Sequence, residues 1–155
     1  MRIRPRFLLA AVALVAGLTT GVYGRADVND APLQYQIGTL LFDETRYREA
    51  IEAFRKALNT DNKSLQIQAR MGVIKTALRL GEFLEAQKEA ATLKQQDPKS
   101  ADVIAMHADA LWSAGLFDEA AEEFKDALAV SPDLSRGHHG MARALASQNK
   151  LDDAL

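Results

Sequence analysis

Cysteine is absent from this chain, proline occurs only four times and tryptophan once. Without cysteine the chain can form neither disulfides nor thiolate metal sites, and it has no cysteine nucleophile. Glycine is also scarce, and the stretches between these residues are rich in Ala, Leu, Glu, Lys, Gln and Arg, which favour helix interiors. The composition therefore predicts a chain that is helical nearly throughout and is stabilised by packing.

A basic stretch is missing from all but the first residues. Four of the 19 basic residues, Arg2, Arg4, Arg6 and Arg25, precede the first acidic residue, so the rest of the chain holds 15 basic and 21 acidic residues. Proteins that bind nucleic acid through its phosphates need a basic stripe. We therefore expect no nucleic-acid partner.

The amino-terminal segment has the pattern of an export signal. Its arginines are followed by an unbroken apolar run, residues 7–18, and then by small residues. Gly24 and Ala26 occupy the third and first positions before a cleavage site that follows Ala26, so residues 1–26 are predicted to be a signal peptide. Val22 and Gly24 could form a second cleavage site in the same way.

The alternative for this segment is an uncleaved membrane anchor. Residues 7–24 approach the roughly 20 residues that span a bilayer, and they are the only part for which we expect membrane contact. The positive-inside bias places the remainder of the chain on the far side in either case. The predicted location is thus periplasmic or secreted, or alternatively membrane-anchored.

Several residue types recur at an interval of 34 positions along the rest of the chain. The recurring sets are Gly81, Gly115 and Asn149; Phe83, Phe117 and Leu151; Ala86, Ala120 and Ala154; and Pro98 and Pro132. Upstream, the spacing of Phe117, Ala120, Phe124 and Ala127 is repeated by Tyr47, Ala50, Phe54 and Ala57. We therefore predict units at 31–64, 67–100, 101–134 and, in part, 135–155.

These units resemble the tetratricopeptide repeat, a helical hairpin with small residues at its crossing points, aromatic residues beside them and a proline at its end. The resemblance implies an all-α fold, a right-handed α-solenoid of stacked hairpins over residues 27–155. The second unit departs most, with Ala90 in an aromatic place and Leu93 in a small place, a swap that roughly conserves volume.

The sequence stops within the first turn of the second helix of the fourth unit. Met141, Leu145, Leu151 and Leu155 would then be left partly uncovered, whereas terminal repeats carry a polar cap. We therefore expect the sequence to be a piece of a longer chain.

In this family the first helices of successive units line a concave groove. By resemblance, the groove is lined by Tyr35, Thr39, Phe42, Met71, Lys75, Arg79, Asp109, Trp112, His139 and Arg143, with Gln68, Asp102, Ala105 and Arg136 beside them. Aromatic anchors beside separated charges suit an extended peptide or protein partner.

The groove positions have an alternative role, and their residue types exclude one known class of receptor. Its residues could instead be solvated surface, with Phe42 and Trp112 packed between neighbouring units. Family members that bind chaperone tails use Lys and Asn at matched positions, and one such row here holds Tyr35, Met71, Ala105 and His139. We therefore do not predict a receptor of that kind.

No motif argues for catalysis. The sequence has no phosphate-binding loop, dinucleotide fingerprint, zinc-protease helix or nucleophile elbow, so we predict neither an enzyme nor a cofactor. His138 and His139 would point about 100° apart on a helix, and no metal site is predicted. His107 is expected to pack in a core leucine place. A solvated, outward-facing acidic cluster is predicted from Asp118, Glu119, Glu122, Glu123 and Asp126.

Three functional hypotheses follow. The leading one is a scaffold or adaptor, exported or anchored, that binds a protein or peptide in its groove. The second, from another class, is the regulatory or substrate-docking arm of an enzyme whose catalytic domain lies beyond residue 155. The third is a self-association module in which repeat ends of separate chains stack.

Overall fold

A computed structural model describes residues 30–147, which form seven α-helices and no strand. The helices are α1 (Ala31–Asp43), α2 (Tyr47–Ala57), α3 (Lys63–Leu80), α4 (Phe83–Gln96), α5 (Ala101–Ser113), α6 (Phe117–Val130) and α7 (Ser135–Ser147). This confirms the all-α prediction. The predicted signal or anchor at 1–26 lies outside the described residues, as does the predicted second helix of the fourth unit. None of the helices between residues 30 and 147 has both the length and the apolar character needed to cross a membrane.

The helices pack as successive hairpins. Each helix contacts the next one along the chain, and the first helices of the hairpins, α1, α3, α5 and α7, also contact one another in a row. Within residues 30–147, no Cα atom of α2, α4 or α6 lies within 8 Å of another of these three. The row of first helices therefore forms the tighter, inner side of a curved stack.

Helix α3 is longer than its counterparts. It begins at Lys63, whereas the sequence places the second unit at 67, and it has 18 residues against 13 in α1 and α5. Asn62 caps it, because its side-chain oxygen accepts a hydrogen bond from the N–H of Leu65 at 3.2 Å. The two extra residues between the first and second units thus lengthen a helix.

The turn inside each hairpin requires a left-handed residue. Gly81 and Gly115 have φ of 76° and 84°, and Thr45 takes the same place in the first hairpin with φ of 62°. In the first hairpin the following N–H, that of Arg46, donates to Leu41 O at 2.9 Å and closes the end of the helix. Glycine adopts this conformation without strain, but a β-branched threonine does not.

Two phenylalanines lie against glycines of the inner row. A Cβ atom on Gly38 or Gly72 would lie 2.7 or 2.5 Å from the ring of Phe54, and one on Gly140 would lie 2.1 Å from the ring of Phe124. Both rings are almost wholly buried. Because Gly72 and Gly140 each belong to the unit after the phenylalanine, these contacts fix one hairpin against the next.

The second unit, residues 67–100, has no phenylalanine to pack against the unit that follows it, and we call it the middle unit. Ala90 stands where the other second helices carry phenylalanine, and Met106 stands at the interval of Gly72 and Gly140. Ala90, Leu93 and Met106 are each no more than 1% exposed and share one buried cluster. In the neighbouring units a phenylalanine on the second helix packs against a glycine on the next first helix. Between α4 and α5 the sizes are reversed, with the small Ala90 on the second helix and the large Met106 on the next first helix.

Ion pairs bridge the outer helices. Arg55 of α2 contacts Glu85 of α4 at 2.5 Å, and this hydrogen bond raises the pKa of Arg55; Lys94 of α4 contacts Glu123 of α6. His107 is half-buried as expected, with its Nδ1 3.4 Å from the same Glu123 carboxylate. Glu123 therefore departs from the predicted solvated cluster: its side chain is 17% exposed because Lys94 and His107 enclose it, whereas that of Glu122 is 76% exposed.

Candidate functional site

Two adjoining cavities open along the inner row of helices. The aromatic cavity, about 440 Å³, is lined by Tyr35, Thr39, Phe42, Asp43, Phe54, Gln68, Met71, Gly72 and Lys75. The basic cavity, about 520 Å³, is lined by Phe42, Lys75, Leu78, Arg79, Asp109, Ser113, Arg136, His139 and Arg143. Phe42 and Lys75 belong to both, so the cavities form one continuous groove across α1, α3, α5 and α7.

The aromatic cavity has a rigid wall. The rings of Tyr35 and Phe54 lie 5.8 Å apart, and Phe42 packs edge-on against Tyr47 with centroids 5.3 Å apart. Tyr35, Phe42 and Met71 are half-buried, so each is anchored in the fold while part of its surface remains open. The two rings can hold an apolar group of a ligand at little entropic cost, and the flexible Met71 can adapt to the shape of that group.

The basic cavity contains one acidic side chain among four basic ones. Asp109 Oδ1 accepts a hydrogen bond from Arg143 Nη2 at 2.5 Å, and its Oδ2 lies 3.5 Å from Arg136 Nη1. Lys75 and Arg79 are exposed on the opposite side, on α3, and neither makes an ion pair within residues 30–147. The cavity is therefore positively charged in a protein whose net charge is −2.

Comparison with known proteins identifies the family that this fold represents. Two family models, both described as tetratricopeptide repeat, match residues 41–110 and 105–155. The chain belongs to the tetratricopeptide repeat family. No curated protein matches the sequence at a significant level.

Solved structures, two of which are described as a tetratricopeptide repeat protein or domain, superpose on this chain at low sequence identity. TTC0263, a thermophilic protein of this type from Thermus thermophilus, is 21% identical, with 80% of this chain and 69% of that one covered and a TM-score of 0.72. MamA (residues 41 to the end) from Desulfovibrio magneticus RS-1 is 17% identical, with 81% and 70% covered and a TM-score of 0.71. The first repeat domain of human RPAP3 is 14% identical, with 83% and 100% covered and a TM-score of 0.71. These likenesses support the fold.

Most of the predicted groove residues of this tetratricopeptide repeat protein line the two cavities. All of the ten principal positions do so except Trp112. Of the adjacent positions, Gln68 and Arg136 line the groove, whereas Asp102 and Ala105 do not. Ala105 is fully buried, because its side of α5 packs into the core shared with α6 and α7.

Trp112 joins two repeats instead of facing a cavity. Its Nε1–H donates to Ser147 Oγ at 3.0 Å, and the Arg143 guanidinium lies 4.1 Å from the centroid of its ring. Phe117 packs nearby, with ring centroids 6.1 Å apart. The alternative in which Trp112 packs between neighbouring units is therefore correct for this residue, because α7 supplies both a hydrogen-bond acceptor and a covering cation.

Further residues line the groove beside those that the sequence predicts. Phe54, which the sequence places only in the recurring spacing of the repeat, also reaches the aromatic cavity, and Gly72, Leu78 and Ser113 line the groove beside the predicted positions. The two adjacent histidines separate as expected for a helix: His139 lines the basic cavity, whereas His138 Nε2 lies 2.6 Å from Pro132 O. The family resemblance implied which helices line the groove, but not which neighbouring turns reach it.

Proposed function

We propose that this protein is a scaffold or adaptor that binds an extended segment of a partner protein along its concave groove. The observation that carries this proposal is the continuity of the aromatic and basic cavities across successive repeats. A groove of this form suits a chain that runs past several helices, with an apolar side chain in one cavity and polar groups in the next.

Different residues of the groove would set how tightly a partner segment binds and at which position along the groove it binds. Tyr35 and Phe42 are partly buried rings packed against their neighbours, so they can contribute contact area with little ordering on binding, and Met71 adds apolar area beside them. Lys75 and Arg79 are exposed and set which charges a partner can present along the groove. Binding therefore requires no chemistry beyond packing, hydrogen bonding and charge.

A peptide-display selection on the full chain tests this proposal. We expect selected peptides to lose about tenfold in affinity when Tyr35→Ala or Met71→Ala is introduced, because truncating a central anchor removes buried contact area. Leu84→Ala is the matched control, since Leu84 is 82% exposed on α4 and lies outside both cavities. Circular dichroism confirms that each variant is folded, and peptides that bind the groove variants as tightly as the parent protein would refute the proposal.

Trp112→Ala does not serve as a groove variant. Because Trp112 joins α5 to α7, its loss is expected to disturb the packing of the last described helix together with the position of Arg143. A loss of binding in that variant would not distinguish a contact with the partner from a loosened repeat.

We propose further that the groove lies outside the cytoplasm, either exported or held at a membrane by the amino-terminal segment. The support is the pattern of three arginines, an apolar run and small residues over 1–26. A reporter enzyme that is active only outside the cytoplasm, fused after residue 147, is expected to be active, and to become inactive when residues 2–26 are deleted. Activity that is unchanged by the deletion would refute an export signal.

A further inference from the structure

Lys75 and Arg79 are two like charges placed one helical turn apart in the groove. Both are exposed on α3, and neither has an ion-pair partner within residues 30–147. Like charges at this spacing on a helix repel and reduce its stability slightly. Nothing in the packing of α3 requires them, so they contribute a positive potential to the groove rather than stability.

Across the groove, the arginines of α7 already hold a carboxylate. Asp109 of α5 accepts from Arg143 and lies against Arg136, which shows that this cavity accommodates a carboxylate between two guanidinium groups. The Nε–H of Arg143 is buried and has no hydrogen-bond partner among residues 30–147. The donors on this side therefore exceed what one aspartate can satisfy.

We propose that the occupant of the groove is an acidic segment of a partner protein, with an apolar side chain beside its carboxylates, and that Asp109 competes with those carboxylates for Arg136 and Arg143. The proposal rests on the function proposed above and names the chemistry of its ligand. The carboxylates lie between the α3 and α7 cations, and the apolar side chain lies against Tyr35 and Met71.

A protein segment fits these observations better than a nucleic acid. The positive charge is confined to one cavity of about 520 Å³, and the protein as a whole has a net charge of −2, which opposes a long polyanion. The adjoining aromatic cavity can receive the apolar side chain of a peptide that continues from the basic cavity.

The test uses two labelled 12-residue peptides with one central leucine. The acidic peptide carries Asp and Glu on both sides of the leucine, and the amide peptide carries Asn and Gln at the same places. With the full chain, fluorescence anisotropy is expected to show that the acidic peptide binds at least about tenfold more tightly, and that added salt removes the difference.

Three variants give the proposal its residue-level test. Lys75→Glu is expected to weaken acidic-peptide binding by about tenfold or more, whereas the matched Lys88→Glu, the same charge change at an exposed position on α4, has little effect. Asp109→Asn is expected to tighten binding severalfold, because it removes the competing charge. Acidic peptide is also expected to change the fluorescence of Trp112, the only tryptophan, as Arg143 moves from its ring.

Several results would overturn the proposal. Equal binding of the amide peptide, weaker binding by Asp109→Asn, or tighter binding of a short oligonucleotide would each do so. If the protein self-associates and Lys75→Glu abolishes this self-association, the occupant of the groove is a second copy of the chain. If neither synthetic peptide binds but selected peptides still depend on Tyr35 and Met71, the ligand chemistry is wrong and the scaffold function stands; if that dependence is also absent, both fail.

Discussion

Gly140→Ala should lower the free energy of unfolding by about 3 kcal/mol, although alanine is the better helix former. The added Cβ atom would lie 2.1 Å from Cε1 of Phe124, whose ring is fully buried between α6 and α7. Neither the ring nor the backbone of α7 can move away without breaking the contact that fixes this helix to the preceding hairpin. Denaturant unfolding followed by circular dichroism and by Trp112 fluorescence measures the loss.

Gly137→Ala is the internal control for this prediction. Gly137 lies on the same helix and is also buried, but its added Cβ atom would meet the end of the Leu128 side chain, at 2.8 Å, rather than a ring held on all sides. A leucine can change rotamer, so we expect a net effect within about 1 kcal/mol of zero. Equal losses in the two variants would show that the Phe124 ring is not the cause.

Ala90→Phe should lower the free energy of unfolding by about as much as Gly140→Ala does, and adding Met106→Gly should restore part of that loss. Ala90 is fully enclosed, so a phenyl ring there overpacks the middle unit by about 3 kcal/mol, and Met106→Gly alone leaves a cavity that costs about as much. Together the two changes recreate the phenylalanine-against-glycine contact of the flanking units. We expect the double variant to lose clearly less stability than the two single variants combined.

The measurement for the second prediction is a double-mutant cycle in the full chain. A coupling of about 2 kcal/mol between positions 90 and 106 would show that the two residues share one packing site. Leu93→Ala combined with Ala90→Phe provides the comparison, because the sequence pattern pairs Leu93 with Ala90. If the losses from the changes at Ala90 and Met106 simply add, the two side chains do not share one packing site.

The hairpins could be predicted because their signals are local and recur. Gly81 and Gly115 mark turns that need positive φ, and Ala120 and Ala127 mark a close crossing, so each feature identifies its own helix and the interval of 34 connects them. The start of α3 could not be predicted in this way, because it depends on a helix cap at Asn62 that belongs to no repeating series.

The groove could be predicted in outline from the family resemblance, because the first helices of successive units line the concave side in that family. The roles of Trp112 and Glu123 could not. Trp112 is covered by Arg143 and hydrogen-bonded to Ser147, which lies 35 residues away, and Glu123 is enclosed by Lys94 of another repeat. Such contacts depend on how adjacent repeats are rotated, and the residue types on one helix do not determine that rotation.

The contrast between the two sides of the stack bears on how this protein can bend. On the inner side, buried rings such as Phe54 hold successive helices against glycine backbone, so their spacing is set by hard contact. On the outer side the helices are connected by ion pairs, Arg55 with Glu85 and Lys94 with Glu123, which can loosen and re-form without a cavity being opened. We therefore expect salt to weaken the contacts between the outer helices of the described repeats while the inner packing stays intact, so that the curvature of these repeats would change with ionic strength.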